Sequence, residues 1–579
     1  VLFGLSFVVL GWFLFSLTLS SLFLRPLVLS GMTAIGIMSL LIMIKILRRA
    51  SISLRSVFVI AALFTVLVAY ISEPTVFSGR DQGSIAEAAY RLAQNGQLAF
   101  SLPAAKVFAE IYNTDGLVDL AYNFPGFAYV GTDTLITQFP LGYTAWLAGF
   151  VSVFDLAGFA LGNGLLLFLS ALILYSLIRL FAHTYYAWAG LILFLGSFLP
   201  SWFAKMTLTE NLSLFLFLFL TYSLILYLRT GKFVFYTSVL LSGGLFAFTR
   251  LEGFAFLGIA LGIMLFSPYT QTLWKTYHTK SIIIPGTVFA LFLLRDFFLN
   301  LPYYKMAAKG LRGATDSGSM ALGGTPAIGS TLFIYGLLVL FVLGFFGILV
   351  FIRKKRYVFL LPSAIALPTL IYLFSPNITP DHPWMLRRYL FSVFPTLLFS
   401  AVLGIAVLFD KTETSPIERP RGKRFFFVTL IFTSLLLLEL PAFLYTFPFA
   451  ENRGLAEQVA TWSEQFSDRD LILVDRFATG DNFAMLSGPA QFLSGKNTVY
   501  FFNPEDLDRL DTTGFDRVFL LVPEDGVERY TAAFGNRLAV ENQISFTLTK
   551  FESLSLKKDM PKLPAELTTE TNDILFRVY

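Results

Sequence analysis

Thirteen stretches of this chain each hold close to twenty consecutive apolar residues, and no other feature narrows the fold as much. A hydrocarbon core of about 30 Å takes about 20 residues of helix. The runs 2–23, 27–47, 56–72, 160–182, 186–201, 208–228, 233–249, 252–267, 281–298, 329–352, 357–374, 389–408 and 425–447 meet or approach that length. Only 14% of the 579 residues are charged and 56% are hydrophobic, against about 25% charged in ordinary soluble domains. A water-soluble globular protein is excluded, and the reading is a polytopic α-helical membrane protein with about 13 transmembrane helices. The first run lacks a basic n-region and a small-residue cleavage site, so it reads as a span and not as a signal peptide. With no Cys, disulfides, thiolate metal sites and thiol nucleophiles are all impossible.

Charge divides the chain in two. Residues 449–579 carry 13 Lys/Arg against 21 Asp/Glu, while residues 1–448 carry the other 30 basic and 17 acidic residues. Residues 1–448 therefore read as a membrane domain and 449–579 as a small soluble α/β domain. In the latter, Gly454–Phe466 reads as helix, and Asp470–Val474, Thr498–Phe502, Arg517–Val522 and Ile544–Phe551 read as strands. The basic residues of the body sit in short loops between apolar runs, which speaks for membrane topology and against nucleic-acid binding.

Lys/Arg in short loops mark the cytoplasmic side. The clusters Lys45–Arg55, Arg229/Lys232, Lys275/Lys280, Arg353–Arg356 and Lys411–Arg424 fall on one side only if 136–155 does not cross. That segment, with Pro140 and Gly142 inside it, reads as a re-entrant or surface-lying helix. The opposite, external face then receives the loop 73–159, the turns at Glu210 and at Arg250–Glu252, the loops 299–328 and 375–388, and the whole tail. The expected location is the plasma membrane, multi-pass, with both the site and the tail extracytoplasmic.

Most ionisable residues outside the basic clusters converge on that face. Loop 73–159 is too long for a connector. Its Ser84 and Glu87 have capping-box spacing, which predicts a helix from Ile85 with Asn95-Gly96 as its stop. Ile85, Ala88, Ala89, Leu92 and Ala93 form one small apolar face suited to the membrane surface, and Asp81 stands on the tether before it. Capping that helix, or pairing with Arg80, is the plainer role for Asp81. Glu210 begins a span, where a carboxylate is either functional or simply well placed at a helix N-terminus. Arg250 and Glu252 share a tight turn that an ion pair alone could close. Arg387 and Arg388 stand at an external helix start, against both the charge rule and the helix dipole. An anion should compensate them: a phosphate bound bidentately, or nonspecific headgroups.

The order and sidedness of these pieces resemble the C-type superfamily of polytopic glycosyltransferases that use lipid-phosphate sugars, most of all its protein O-mannosyltransferase-like and aminoarabinose-transferase-like families. The matching pieces are Asp81-Gln82-Gly83 followed by Ala86, Tyr90, Ala93 and Gly96; Gln138-Phe139-Pro140-Leu141-Gly142-Tyr143; and Thr209-Glu210. Thr249-Arg250-Leu251-Glu252-Gly253 and His382-Pro383-Trp384 with Arg387-Arg388-Tyr389 complete the pattern, which covers about residues 56–410. The resemblance implies inverting transfer of a mannose-like or related hexose from a polyprenyl-phosphate donor to a hydroxyl on a protein, lipid or glycan acceptor. Asp81 matches the catalytic acidic position and would act as general base. Arg250, Arg387, Arg388 and His382 would bind the donor phosphate, and Glu210, Glu252, Arg80 and Gln82 would form a second acidic or substrate-binding site. Glu210 matches a position that binds metal in one branch, but that branch uses an acidic pair. No metal or other cofactor is therefore expected. Three spans before the main external loop, where relatives commonly have one, is a second departure. The tail would be an acceptor-recognition domain, a lid or a passive cap, and the glycine-rich loop 310–329 a flexible linker or a segment closing over substrate.

The rival readings are a transporter or flippase of lipid-linked or polar solutes, which would place ionisable residues near the bilayer midplane and show two similar halves, and a non-catalytic scaffold of envelope assembly.

Overall fold

A computed structural model describes every residue except 78, 115–120, 132, 279–282, 306–307, 309–324, 375–380, 410–416, 480–483 and 556–560. Residues 310–324 of the glycine-rich loop, Lys280 and part of the Lys411–Arg424 stretch thus lie outside the described residues.

All thirteen apolar runs fold as helix in their described parts. By length and composition six helices among the described residues can cross a membrane, or eight if each of two bent pairs is one span. The shortfall against thirteen has two causes: Phe233–Ala247, Glu252–Leu265 and Ile284–Leu299 are unbroken but only 15, 14 and 16 residues long, and other runs are broken. Run 186–201 splits into Thr184–Leu195 and Phe198–Phe203. Run 329–352 turns by 110° at Gly336, whose φ of 75° only glycine adopts freely. Run 357–374, carrying Pro362 and Pro368, is a succession of 3-10 and α turns.

The bundle has two distinct ends. Helix Thr209–Thr230 is about 33 Å long at 1.5 Å per residue, and it runs from Glu210 to the basic Arg229. There Arg229 Nη1 donates to the Leu180 carbonyl at 3.1 Å, and Ala182 bridges Ile417. Helices Ile52–Ile71 and Ala157–Arg179 are antiparallel: Ser53 meets Tyr175 at 3.0 Å, and Phe58 meets Phe168 at 4.8 Å. The chain therefore leaves after Ile71 and re-enters at Ala157 on the Glu210 end, as a non-crossing 136–155 requires.

What lies between departs from the surface-lying reading. Residues Thr134–Thr137 are the central strand of a small antiparallel sheet with Phe100–Ser101 and Phe127–Val130. Helix Leu141–Phe154 is buried from Leu141 to Ser152, pinned by Tyr143 to Asn163 Oδ1 at 2.7 Å and by Trp146 to the Gly162 carbonyl at 3.3 Å. The helix that opens the loop 73–159 starts at Asp81, four residues before Ile85, and is capped by Gly96 in the left-handed conformation. Ser84 does not cap it; its hydroxyl donates to the Pro125 carbonyl, and Glu87 accepts from Arg91 instead. Its apolar face packs on protein, chiefly Leu141–Phe154, and not on lipid.

The tail holds a five-stranded sheet in the order Asn497–Phe501, Leu471–Asp475, Val518–Pro523, Asp573–Val578, Leu538–Ile544; the first three strands are parallel and the last two antiparallel. Four strands not read from sequence, Leu538–Ile544, Leu554–Ser555, Glu566–Glu570 and Asp573–Val578, join those that were. The tail is seated firmly on the Glu210 end. Leu554–Ser555 pairs with Asp381–His382, Phe551 stacks on Phe449 at 4.1 Å and lies 5.1 Å from Trp202, and Arg91 donates to Gln491 at 2.9 Å. The Lys205 ammonium donates to the carbonyls of Thr446, Phe447 and Phe449, where the last apolar helix ends.

One buried acid of the tail makes its stability depend on pH. Asp573 is fully buried, accepts from Thr571 Oγ1 at 2.7 Å and leaves Oδ1 without a partner among the described residues. Burial pushes its pKa up to about 7; the Thr571 bond pulls down, and the charges of Asp475 and Asp525 push up. Because the folded pKa is the higher one, this contribution is complete below about pH 4 and is lost as pH rises through about 7. Asp573→Asn is permanently neutral. It is expected to melt with the parent at pH 4 and above it at pH 8, by up to about 4 kcal/mol at about 1.4 kcal/mol per pKa unit. Thermal unfolding followed by circular dichroism at the two pH values checks this.

Candidate active site

Four distant segments bring six charged side chains into one alternating chain. Asp81 stands at the first position of its helix, and Arg387 Nη2 lies 2.7 Å from its Oδ2. Arg387 Nε is 3.8 Å from Glu210 Oε1. Arg250 Nη1 is 2.8 Å from the same Glu210 oxygen. That last contact is a charge contact without hydrogen-bond direction, for Glu210 Oε1 has no hydrogen-bond partner among the described residues; Arg250 Nη1 donates to Thr209 Oγ1 at 3.0 Å. Arg250 also donates to Glu252, from Nη2 at 2.9 Å and from Nε at 3.3 Å. Arg388 Nη1 closes the chain 3.6 Å from Glu252.

Local sequence explains each position. The Thr209–Thr230 helix places Glu210 in its first turn, where a carboxylate complements the helix dipole. Helix Phe233–Ala247 ends and Glu252–Leu265 begins across a four-residue turn, 248–251, that thrusts Arg250 inward. A 3-10 turn, Trp384–Leu386, precedes a new helix at Arg387. Gly142 lets the Gln138–Tyr143 segment approach the Arg250 turn: its N–H donates to the Phe248 carbonyl at 2.9 Å, and a Cβ there would lie 2.8 Å from that oxygen.

Exposure separates the roles. Glu210 is 1% exposed, Arg250 and Arg387 7% each, but Asp81 is 41% exposed. Asp81 lines a cleft of about 390 Å³ together with Arg80, Gln138, Phe139, Tyr122 and Tyr500. A carboxylate that is open to a ligand and anchored by a buried guanidinium can accept a proton. The guanidiniums behind it can hold an anion, provided they exchange a carboxylate for it.

Asp81, Glu210, Arg250, Glu252, Arg387 and Arg388, all singled out from sequence, come together. Arg80 stands beside them, paired with Asp381 at 2.7 Å, and both it and Arg387 lie over the Trp384 ring, at 4.5 and 4.3 Å. Gln82 is buried, its backbone carbonyl accepting from Thr207 Oγ1 at 2.6 Å. His382 is 1% exposed, with Nδ1 3.3 Å from the Tyr335 hydroxyl, and does not enter the charge chain. Sequence reasoning missed Tyr372, whose hydroxyl donates to Glu252 at 2.6 Å; inside an apolar run nothing distinguished it. Thr209 was noted only as Glu210's neighbour. Among the described residues no group of three or more His, Cys, Asp or Glu is placed to hold a metal ion.

These features define a polytopic membrane protein with an acid–guanidinium site at one end of its bundle. No family model matches the chain, and no curated protein matches it. Among solved structures, ArnT from Cupriavidus metallidurans bound to undecaprenyl phosphate is similar with a TM-score of 0.48 at 11% identity, over 91% of this chain and 98% of that one. The apo state of the same protein gives 0.45 at 11% identity, over 90% and 97%. Likeness at this level fixes neither residues nor chemistry, which rest on the geometry of the site.

Proposed function

We propose that the protein is a membrane glycosyltransferase of the C-type, moving a mannose-like or related hexose from a polyprenyl phosphate to an acceptor hydroxyl on a protein, lipid or glycan. The observation that carries the reading is the solvent-open Asp81 held at 2.7 Å by the buried Arg387, at the head of a chain of alternating charges. In the reaction, Asp81 takes the hydroxyl proton as the acceptor oxygen bonds to the anomeric carbon from the face opposite the phosphate. The bond from that carbon to the phosphate oxygen breaks with inversion, and its electron pair leaves on polyprenyl phosphate. Arg387 and Arg388, with Arg250 behind them, stabilise that charge in a partly desolvated setting. Each acid in the chain already faces a guanidinium, which supports a route without a metal. The basic loops at the far end of the bundle support an outward-facing site in the plasma membrane.

Titration of the full chain with a polyprenyl-phosphate hexose tests the reading. Arg387→Met is expected to weaken binding by roughly 30-fold or more, because truncating one partner of a buried charge pair costs about 2–5 kcal/mol. Arg388→Met, at a more exposed position, should do less. Unchanged donor affinity in both variants would overturn the assignment.

A further inference from the structure

A crevice of about 440 Å³ lies in the half of the bundle away from the charge chain, where helices Leu2–Leu19, Phe233–Ala247, Glu252–Leu265 and Ile284–Leu299 diverge. No charged side chain is among its lining residues. Along helix Glu252–Leu265 it runs from Leu257 to Leu265, about 8 to about 20 Å from Glu252 at 1.5 Å per residue. Its flank is open to the bilayer. Leu261, Leu265 and Val288 are exposed, and a Cβ added at Gly262 or Gly286 would meet nothing within 4 Å among the described residues. Toward the charge chain, in contrast, aromatic rings close it. Trp12 and Phe289 of its lining lie 5.7 and 5.3 Å from Phe248, which stands two residues before Arg250. Phe248 in turn lies 4.7 Å from Phe15, and Phe292 lies 5.2 Å from Trp12. An occupant therefore enters from the leaflet at the basic end of the bundle, and not past Arg250 and Arg387. There the crevice is edged by Tyr236 and Thr270. Lys232, four residues before Tyr236, and Lys275, on helix Pro268–His278 with Thr270, are both exposed at that edge. A void in hydrocarbon forfeits dispersion contacts that a flexible chain restores, and lysines at the bilayer boundary attract anionic headgroups.

We propose that this crevice holds one acyl chain of an anionic phospholipid from the leaflet at the basic end, its headgroup held by Lys232 and Lys275. The site is separate from the charge chain and does not depend on the transferase reading.

The test places the full chain in phosphatidylcholine nanodiscs with rising fractions of phosphatidylglycerol whose acyl chains carry bromine, a contact quencher of indole. Quenching of Trp12 is the difference between the parent and Trp12→Phe. It is expected to saturate, and at a lower lipid fraction than with phosphatidylcholine brominated in the same way. Lys232→Gln and Lys275→Gln should each raise the midpoint for phosphatidylglycerol by roughly fivefold, the worth of one lysine near an anionic surface. Gly286→Leu should fill the crevice and abolish the saturating component; open space admits the side chain, and a helix prefers it to glycine. Val288→Trp is a second, independent filling change with the same expected loss. Equal, unsaturated quenching by both lipids would mean ordinary boundary lipid and would overturn the proposal. So would a saturating component that survives both filling variants, or one that neither lysine variant shifts. Displacement of the brominated lipid by an equimolar amount of polyprenyl phosphate would give the crevice to the donor's chain and overturn it too. Any of these failures leaves the transferase reading standing, because that reading is tested by donor affinity at Arg387 and Arg388.

Discussion

Asp81→Asn is expected to lower sugar transfer by about 10²–10⁴-fold, the usual contribution of a positioned general base, while donor binding survives and tightens. The amide cannot take the hydroxyl proton, so the chemical step loses its acceptor. In the resting site Arg387 spends one arm on Asp81 at 2.7 Å, and a donor phosphate must compete with that carboxylate. Removing the negative charge removes the competitor, whereas the nearby Glu210 still balances the buried Arg387 at 3.8 Å. The fold should hold, since Asp81 is 41% exposed. Turnover with a labelled polyprenyl-phosphate hexose and a donor titration measure the two effects. Full turnover in the variant would remove Asp81 from the chemistry, and weakened donor binding would show that it does not compete with phosphate.

Arg250→Met should be the most destabilising single change at the site, costing about 3–5 kcal/mol, as breaking a buried ion pair does when one charge is left behind. Glu210 is 1% exposed, and without Arg250 its one remaining ion-pair partner among the described residues is Arg387 at 3.8 Å. The double variant Arg250→Met with Glu210→Gln should recover most of the loss, because the stranded charge is gone and a neutral amide beside Thr209 remains. If Arg250 merely closed its own turn through Glu252, rescue would come from Glu252→Gln instead. Melting temperatures of the four proteins decide between these, and an Arg250→Met protein that melts with the parent would dismiss both.

The members of the site were legible because each broke a local rule: an acid at the edge of hydrocarbon at Glu210, paired arginines against the helix dipole at Arg387 and Arg388, and a carboxylate on an overlong loop at Asp81. Their pairing was not legible. Arg250 and Glu252 are two residues apart and read as a turn closure, yet Arg250 also reaches Glu210, forty residues away. Tyr372 gave no signal at all, because a tyrosine inside an apolar run is ordinary until Glu252 is found at 2.6 Å. Ser84 and Glu87 matched a capping box, but tertiary partners, the Pro125 carbonyl and Arg91, took both side chains and the helix began at Asp81.

By itself the sequence determined that this chain lives in a bilayer, that its basic loops share one face, and that its lone acids and spare arginines gather opposite them. Those facts follow from the cost of burying charge and backbone in hydrocarbon, a cost paid residue by residue. Only the tertiary structure decided which guanidinium meets which carboxylate, that helix Leu141–Phe154 sinks into protein, and that tail strand Leu554–Ser555 zips onto Asp381–His382 beside the arginines. Such choices depend on contacts between segments as much as three hundred residues apart, as Asp81 and Arg387 are, and no local pattern records which partner a charge finds.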